Sequence, residues 1–159
     1  MKKESELHPI KLMTSLIIML SAGIISSLFN TTSAIDWYAN LNKSALNPPN
    51  WVFSYVWTLL YSLMAASLYL VWNSEDKNKK PALTIFFIHL FLNVLWSAIF
   101  FWLKLPLLAF IEISILWLSI AMTTLVFKTI NKTSAYLMIP YITWVSFALI
   151  LNFAVVLLN

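Results

Sequence analysis

WYANLNKSALNPPNWVFSYVWTLLY, residues 37–61, holds three of the eight tryptophans, three of the six tyrosines and the only Pro-Pro pair. A polar loop turns here into a long apolar run. Proline cannot sit inside a helix without losing a hydrogen bond, but it is favoured in the first turn. Pro48-Pro49 therefore predicts a helix that starts near Pro49 or Asn50 and runs to Trp72. Trp37 and Tyr38 suit a membrane–water interface, where an apolar ring with a polar edge is at home.

Outward from this stretch, the composition decides the class. Of 159 residues, 61% are hydrophobic and 10% charged, with one glycine and no cysteine. A soluble domain carries about 25% charged residues, so lipid must cover part of this chain. Without cysteine there is no disulfide framework, thiolate metal site or cysteine nucleophile. No basic run interleaved with aromatics suggests nucleic acid as a partner.

Leu12 to Phe29 is an uncharged run of 18 residues, enough to span about 30 Å of hydrocarbon. It lacks a small-residue cleavage site, so it reads as a retained helix rather than a signal peptide. Ala22 with Ser26, and Gly23 with Ser27, form small-xxx-small pairs that admit a close helix neighbour. Residues 30–50 read as a loop. After the 50–72 span come a charged loop at 73–80, a span at 82–103, a break at Lys104-Leu105-Pro106 and a span at 105–127. KTINKT (128–133) reads as a last polar loop, and 135–158 as a fifth span interrupted by Pro140. The expectation is an all-α membrane protein, a single-domain five-transmembrane-helix bundle over 1–159.

Five spans place the termini on opposite sides. Lys2, Lys3, Lys11, Lys77, Lys79, Lys80, Lys128 and Lys132 share the N-terminal side; Lys43 and Lys104 hold the other. The positive-inside rule then makes the N-terminus cytoplasmic, and a bacterial inner membrane is the expected location.

Polar groups are costly within lipid, so those inside the spans carry information. His89, Asn93 and Ser97 make one stripe; Tyr141, Trp144, Ala148 and Asn152 another; Trp57, Tyr61 and Ala65 a third; Glu112, Ser119 and Thr123 a fourth. These faces should point inward. Joining helices, at about 0.6 kcal/mol per bond, is explanation enough for Ala65, Ser97, Ser119 and Thr123. His89 reads as a core histidine rather than a metal ligand, and no metal site is expected. Glu112 is the one acid deep in a span; it is protonated, paired with His89 or turned to water. Trp72, Trp102 and Trp117 read as interfacial or packing residues. Trp51, Trp57 and Trp144 differ, because an aromatic loop and two aromatic helix faces can converge with Asn93. Flat rings with a few amides and hydroxyls suit a flat, mostly apolar ligand. Trp51 and Trp57 lie on opposite sides of their helix, so Trp57, with Tyr61, is the expected pocket wall, and Trp51 the residue closing the mouth.

Four blocks now resemble a known family: Trp37-Tyr38…Leu41…Lys43; Pro48-Pro49…Trp51-Val52-Phe53…Trp57…Tyr61…Met64; Leu92-Asn93…Trp96-Ser97…Phe100-Phe101; and Pro140-Tyr141…Trp144-Val145-Ser146-Phe147-Ala148…Leu151-Asn152. In this order and spacing the chain resembles the TspO/MBR family, the tryptophan-rich sensory proteins of bacteria and the translocator proteins of mitochondria. The resemblance implies a five-helix bundle, usually a homodimer, that takes porphyrins (haem-type tetrapyrroles) and other flat hydrophobic molecules as ligands and requires no cofactor. It carries the ligand-binding role to Tyr38, Pro48, Trp51, Trp57, Tyr61, Asn93, Trp144 and Ala148. It ties Trp57 and Trp144 to light-dependent porphyrin breakdown, which would make them the catalytic residues. Ser44 stands where the family usually has proline, His89 where glutamine is common, Glu112 where aspartate is common and Ala65 where glycine is common. The last helix lacks the sterol motif, so sterol binding is not expected. Three functions follow: a tetrapyrrole receptor or carrier, a light-dependent porphyrin-degrading enzyme, and a ligand-free membrane scaffold.

Overall fold

Pro9 opens the first helix, where its missing N–H costs nothing, and the computed structural model describes residues 8–159, without the Ser33 side chain. Lys2 and Lys3 therefore lie outside the described residues. The helices are α1 (Pro9–Leu28), α2 (Thr32–Asn40), α3 (Asn50–Trp72), α4 (Lys79–Ser97), α5 (Pro106–Ile130) and α6 (Lys132–Leu158). All but α2 are long and apolar enough to cross a membrane, which gives five spans among the described residues. α1 packs on α3, α3 on α6, α6 on α5, α5 on α4 and α4 back on α1, closing a ring.

Three local features differ from the sequence reading. Residues 32–40 form a short helix, not a loop. Thr31 caps it, accepting a bond from the Ala34 backbone N–H, and Ala34, Trp37, Tyr38 and Leu41 fall on its inner face at helical spacing. The expected loop at 128–133 shrinks to Asn131. That residue ends α5 and caps α6, its side chain accepting from Ser134 N–H. α6 runs unbroken through Pro140. A fourth feature carries no sequence signal: α4 continues into a π-helical turn at Ala98–Trp102, the kind of widened turn that collects at functional sites. Lys104 then takes a left-handed backbone, φ 56°, which reverses the chain before Pro106 starts α5.

The two ends of the ring are built differently. Towards the 73–78 loop the interior is solid: Met64, Leu68, Phe86, Phe127 and Met138 are fully buried. Phe86 stacks on Phe127 at 5.6 Å. Ser67 and Ser134 each donate to the other's backbone carbonyl, at 3.0 and 2.9 Å, fastening α3 to α6. At the α1 start, His8 N–H donates to the Tyr69 hydroxyl and Lys11 Nζ to Asn73 Oδ1. Towards the 41–49 loop the ring is hollow. Among the described lysines, 11, 77, 79, 80, 128 and 132 sit at the solid end, and Lys43 and Lys104 at the hollow one.

Candidate functional site

The hollow end encloses a cavity of about 630 Å³, walled by α1, α2, α3, α4 with its π turn, and α6. Its floor is a chain of polar contacts between three spans. The Tyr61 hydroxyl donates to Asn93 Oδ1 at 2.7 Å, and Asn93 Nδ2 donates to the Tyr141 hydroxyl at 2.9 Å. Asn93 is 3% exposed and Tyr141 fully buried, so lipid and water are both excluded from these bonds. Tyr61 comes close because Gly23 faces it: a Cβ there would lie 3.0 Å from the ring.

The walls are aromatic. Trp57 lies 5.5 Å from the Tyr61 ring and 6.3 Å from Tyr141, and Trp144 meets Phe53 edge-on at 5.8 Å. Trp96 stacks on Phe100 at 5.1 Å and donates its indole N–H to Asn152 Oδ1, while Asn152 Nδ2 donates to the Pro106 carbonyl. The π turn turns both Phe100 and Phe101 onto Tyr38, at 6.1 and 5.9 Å. Tyr38 roofs the cavity and donates its hydroxyl to Asn47 Oδ1 at 2.8 Å. Burial pushes the Tyr38 hydroxyl above its ordinary pKa of 10.0, and the Asn47 bond only partly offsets this. The phenol thus stays a neutral donor at physiological pH.

The loop that carries this roof is fastened by local bonds. Lys43 Nζ donates to the carbonyls of Tyr38, Ala39 and Leu41, at 2.7, 3.0 and 2.9 Å, capping the C-terminus of α2. Asn42 and Asn159 clamp each other: Asn42 N–H donates to Asn159 Oδ1 and Asn159 Nδ2 to the Asn42 carbonyl, each at 3.0 Å.

Of the residues singled out from sequence, Tyr38, Trp57, Tyr61, Asn93, Trp144 and Ala148 line the cavity. Pro48 and Trp51 do not. Trp51 is 65% exposed, its ring edge-on to Tyr55 at 5.9 Å. It stands about 120° round the helix from Trp57, because six residues advance it by one turn and two thirds. It does not close the mouth; Tyr38 and Asn47 do. Pro48 serves the turn, its carbonyl accepting from Asn47 Nδ2. Ser97, read as a helix-joining residue, lines the cavity, as do Ser26 and Ser27 of the small-residue pairs. Phe53, Trp96, Phe100 and Asn47 also line it, and none was singled out for the pocket. Phe53 and Trp96 carried a signal, since Phe53 lies four residues from Trp57 and Trp96 three from Asn93, each on the same helix face.

His89 and Glu112 are buried but outside the cavity. Thr123 Oγ1 donates to the Ser119 carbonyl and so accepts from His89 Nδ1, at 3.2 Å. Glu112 makes no pair with His89, and neither of its carboxyl oxygens has a hydrogen-bond partner among the described residues. The reason is height: Glu112 is eleven residues, about 16 Å, along α5 from the Thr123 that holds His89.

The family model described as TspO/MBR matches residues 15–158. The chain belongs to the TspO/MBR family. Similar relatives include the tryptophan-rich protein TspO of Archaeoglobus fulgidus, 38% identical over 94% of this chain and 97% of that protein. The tryptophan-rich sensory protein of Cereibacter sphaeroides is 36% identical over 81% of this chain and 83% of its own length. The human translocator protein is 33% identical over 82% of this chain and 79% of its own. Five apolar spans and membership of the TspO/MBR family make this an integral, multi-pass membrane protein.

Proposed function

We propose that this TspO/MBR protein is a membrane receptor or carrier for porphyrins and similar flat hydrophobic molecules, whose occupancy regulates tetrapyrrole or stress metabolism. The cavity carries the reading. Its volume of about 630 Å³ falls within the usual range for sites that enclose small organic ligands. Indole and phenyl faces on α3, α4 and α6 offer a macrocycle stacking surfaces, and the amides of Asn47 and Asn93 offer its polar edge partners. The name "sensory protein" borne by one relative fits a receptor. The lysine distribution supports an N-terminus in the cytoplasm of a bacterium, with the cavity on the far side. We propose a homodimer as the working unit, as the family resemblance implies.

Titration with protoporphyrin IX in the dark, followed by tryptophan quenching, tests the reading. Saturable quenching is expected, with Kd raised about five-fold in Trp57→Phe and in Trp144→Phe, since an aromatic contact is worth about 1 kcal/mol. Non-saturable quenching, or a Kd indifferent to both substitutions, overturns it. A specific arrangement favours a second reading, light-dependent porphyrin degradation: Trp57 lines the cavity with its ring 5.5 Å from Tyr61 and 6.3 Å from Tyr141, so an oxidised indole has phenols beside it. Illumination of the complex should then bleach the porphyrin faster than illumination with denatured protein; equal rates exclude it.

A further inference from the structure

Trp144 belongs to two hollows at once. On its inner side it lines the cavity; on its outer side it lines a groove of about 470 Å³ between α3 and α6. Its ring contacts follow the same division, with Phe53 of the cavity wall on one side and Phe147 of the groove on the other, at 5.8 and 5.7 Å. α3 shows the matching division: Trp57 and Tyr61 face the cavity, while Val56, Leu59 and Leu60 face the groove. One indole is thus the partition between them.

That partition is not tied in place. Trp96 and Trp117 each spend their indole N–H on a neighbouring helix, Trp96 on Asn152 and Trp117 on Ser146 at 2.7 Å. The Trp144 N–H is buried and has no hydrogen-bond partner among the described residues. Apolar packing, rather than a hydrogen bond to another described residue, holds its rotamer. The helix beneath it is also softened: Pro140 cannot donate to the Tyr136 carbonyl, and the Thr143 hydroxyl donates to the Ile139 carbonyl at 2.9 Å, a bond that bends helices.

The groove itself lies within two membrane spans, and Leu59, 58% exposed, faces outward. Its lining is apolar except for Thr143, whose donor is already used. At that depth the surrounding medium is hydrocarbon chain. We propose that the α3–α6 groove binds an acyl chain of a bilayer lipid, and that Trp144 couples this chain to the occupant of the cavity. A ligand pressing on the inner face of the indole drives it towards Phe147 and into the groove, so chain and ligand compete for the space that one side chain sweeps. The coupling rests on the porphyrin reading above; the lipid site does not.

The experiment uses the full chain in vesicles of dioleoylphosphatidylcholine and, in parallel, of its bromine-bearing analogue, whose chain-borne bromines quench an indole they touch. The Trp144 contribution is the emission of the wild type minus that of Trp144→Phe, with Trp144→Tyr as a second reference and helicity checked for each. Strong bromine quenching of this difference is expected, with a marked loss of that quenching in Leu59→Phe/Thr143→Phe, which fills the groove. Protoporphyrin IX, read by its own emission, should bind several-fold more weakly to the filled variant. Absence of bromine quenching overturns the lipid site, as does quenching that appears only when the protein is diluted from dimer to monomer, which gives the groove to a second copy. Quenching without any saturable porphyrin binding retains the lipid site and removes the proposed function. Quenching together with a porphyrin affinity unchanged in the filled variant overturns the coupling.

Discussion

The floor and the roof of the cavity are both polar, yet they are held in opposite ways. The floor joins three spans through Tyr61, Asn93 and Tyr141, residues 32 and 48 positions apart in sequence. The polar bonds of the roof run within residues 38–47 and through the Asn42–Asn159 clamp, all partly or fully exposed. A polar bond in a dry interior has no competing solvent and leaves costly orphans when broken. One at the exposed rim exchanges with water at little cost. The floor should therefore govern stability and the roof should govern opening.

The sharpest way to break that contrast is Asn93→Leu, which strands two buried phenol hydroxyls. A loss of about 1–3 kcal/mol is expected, read as a lower midpoint when the detergent-solubilised protein is unfolded and its helicity followed. Adding Tyr61→Phe and Tyr141→Phe removes the orphans and should recover part of the loss. If the triple variant is no more stable than Asn93→Leu, the bonds are not what the floor depends on.

Gly23→Ala probes the same floor from α1. The new methyl would sit 3.0 Å from Tyr61 Cε2 and 3.1 Å from Cδ2, so the ring must give way by a few tenths of an ångström. Overpacking of this kind costs about 1–3 kcal/mol, whereas replacing a mid-helix glycine returns about 1. Stability should fall slightly, and porphyrin affinity, which reads the position of Tyr61, should fall more. Unchanged affinity would show that Tyr61 can shift without altering the cavity.

At the roof, Lys43→Met removes the cation that caps α2. Interactions of this kind at a helix end are worth about 0.3–1 kcal/mol, and the exposed site places the expected loss at the low end. The visible effect should be local: faster amide exchange through residues 37–47 with exchange in α3 to α6 unaltered. Exchange that rises throughout the bundle would put the roof on the same footing as the floor.

This division also sets what the sequence could disclose. Spans, their order and their inward faces were legible because lipid enforces a composition on each helix, and Asn93, Tyr61 and Tyr141 declared themselves as polar groups in apolar runs. The roof was less legible. Thr31 and the 34/37/38/41 spacing do mark α2, but a nine-residue helix among polar neighbours looks like a loop when only long apolar runs are sought. The collapse of 128–133 onto Asn131 depends on one side chain capping one helix while ending another. The π turn has no compositional mark at all, and it is what brings Phe100 and Phe101 together on Tyr38.

Trp51 offers the finest test of where roof ends and wall begins. Its place in a tryptophan-rich stretch next to Pro-Pro makes it look like part of the site, but it faces outward against Tyr55. An exposed aromatic away from the cavity should tolerate a smaller ring, so Trp51→Phe should change stability by less than about 0.5 kcal/mol. Protoporphyrin IX affinity should match that of the wild type in the same titration that separates Trp57→Phe. A rise in Kd for Trp51→Phe comparable to that for Trp57→Phe would mean that the ligand reaches past Tyr38 and Asn47 onto the outer face of α3, and the roof as drawn would then be open.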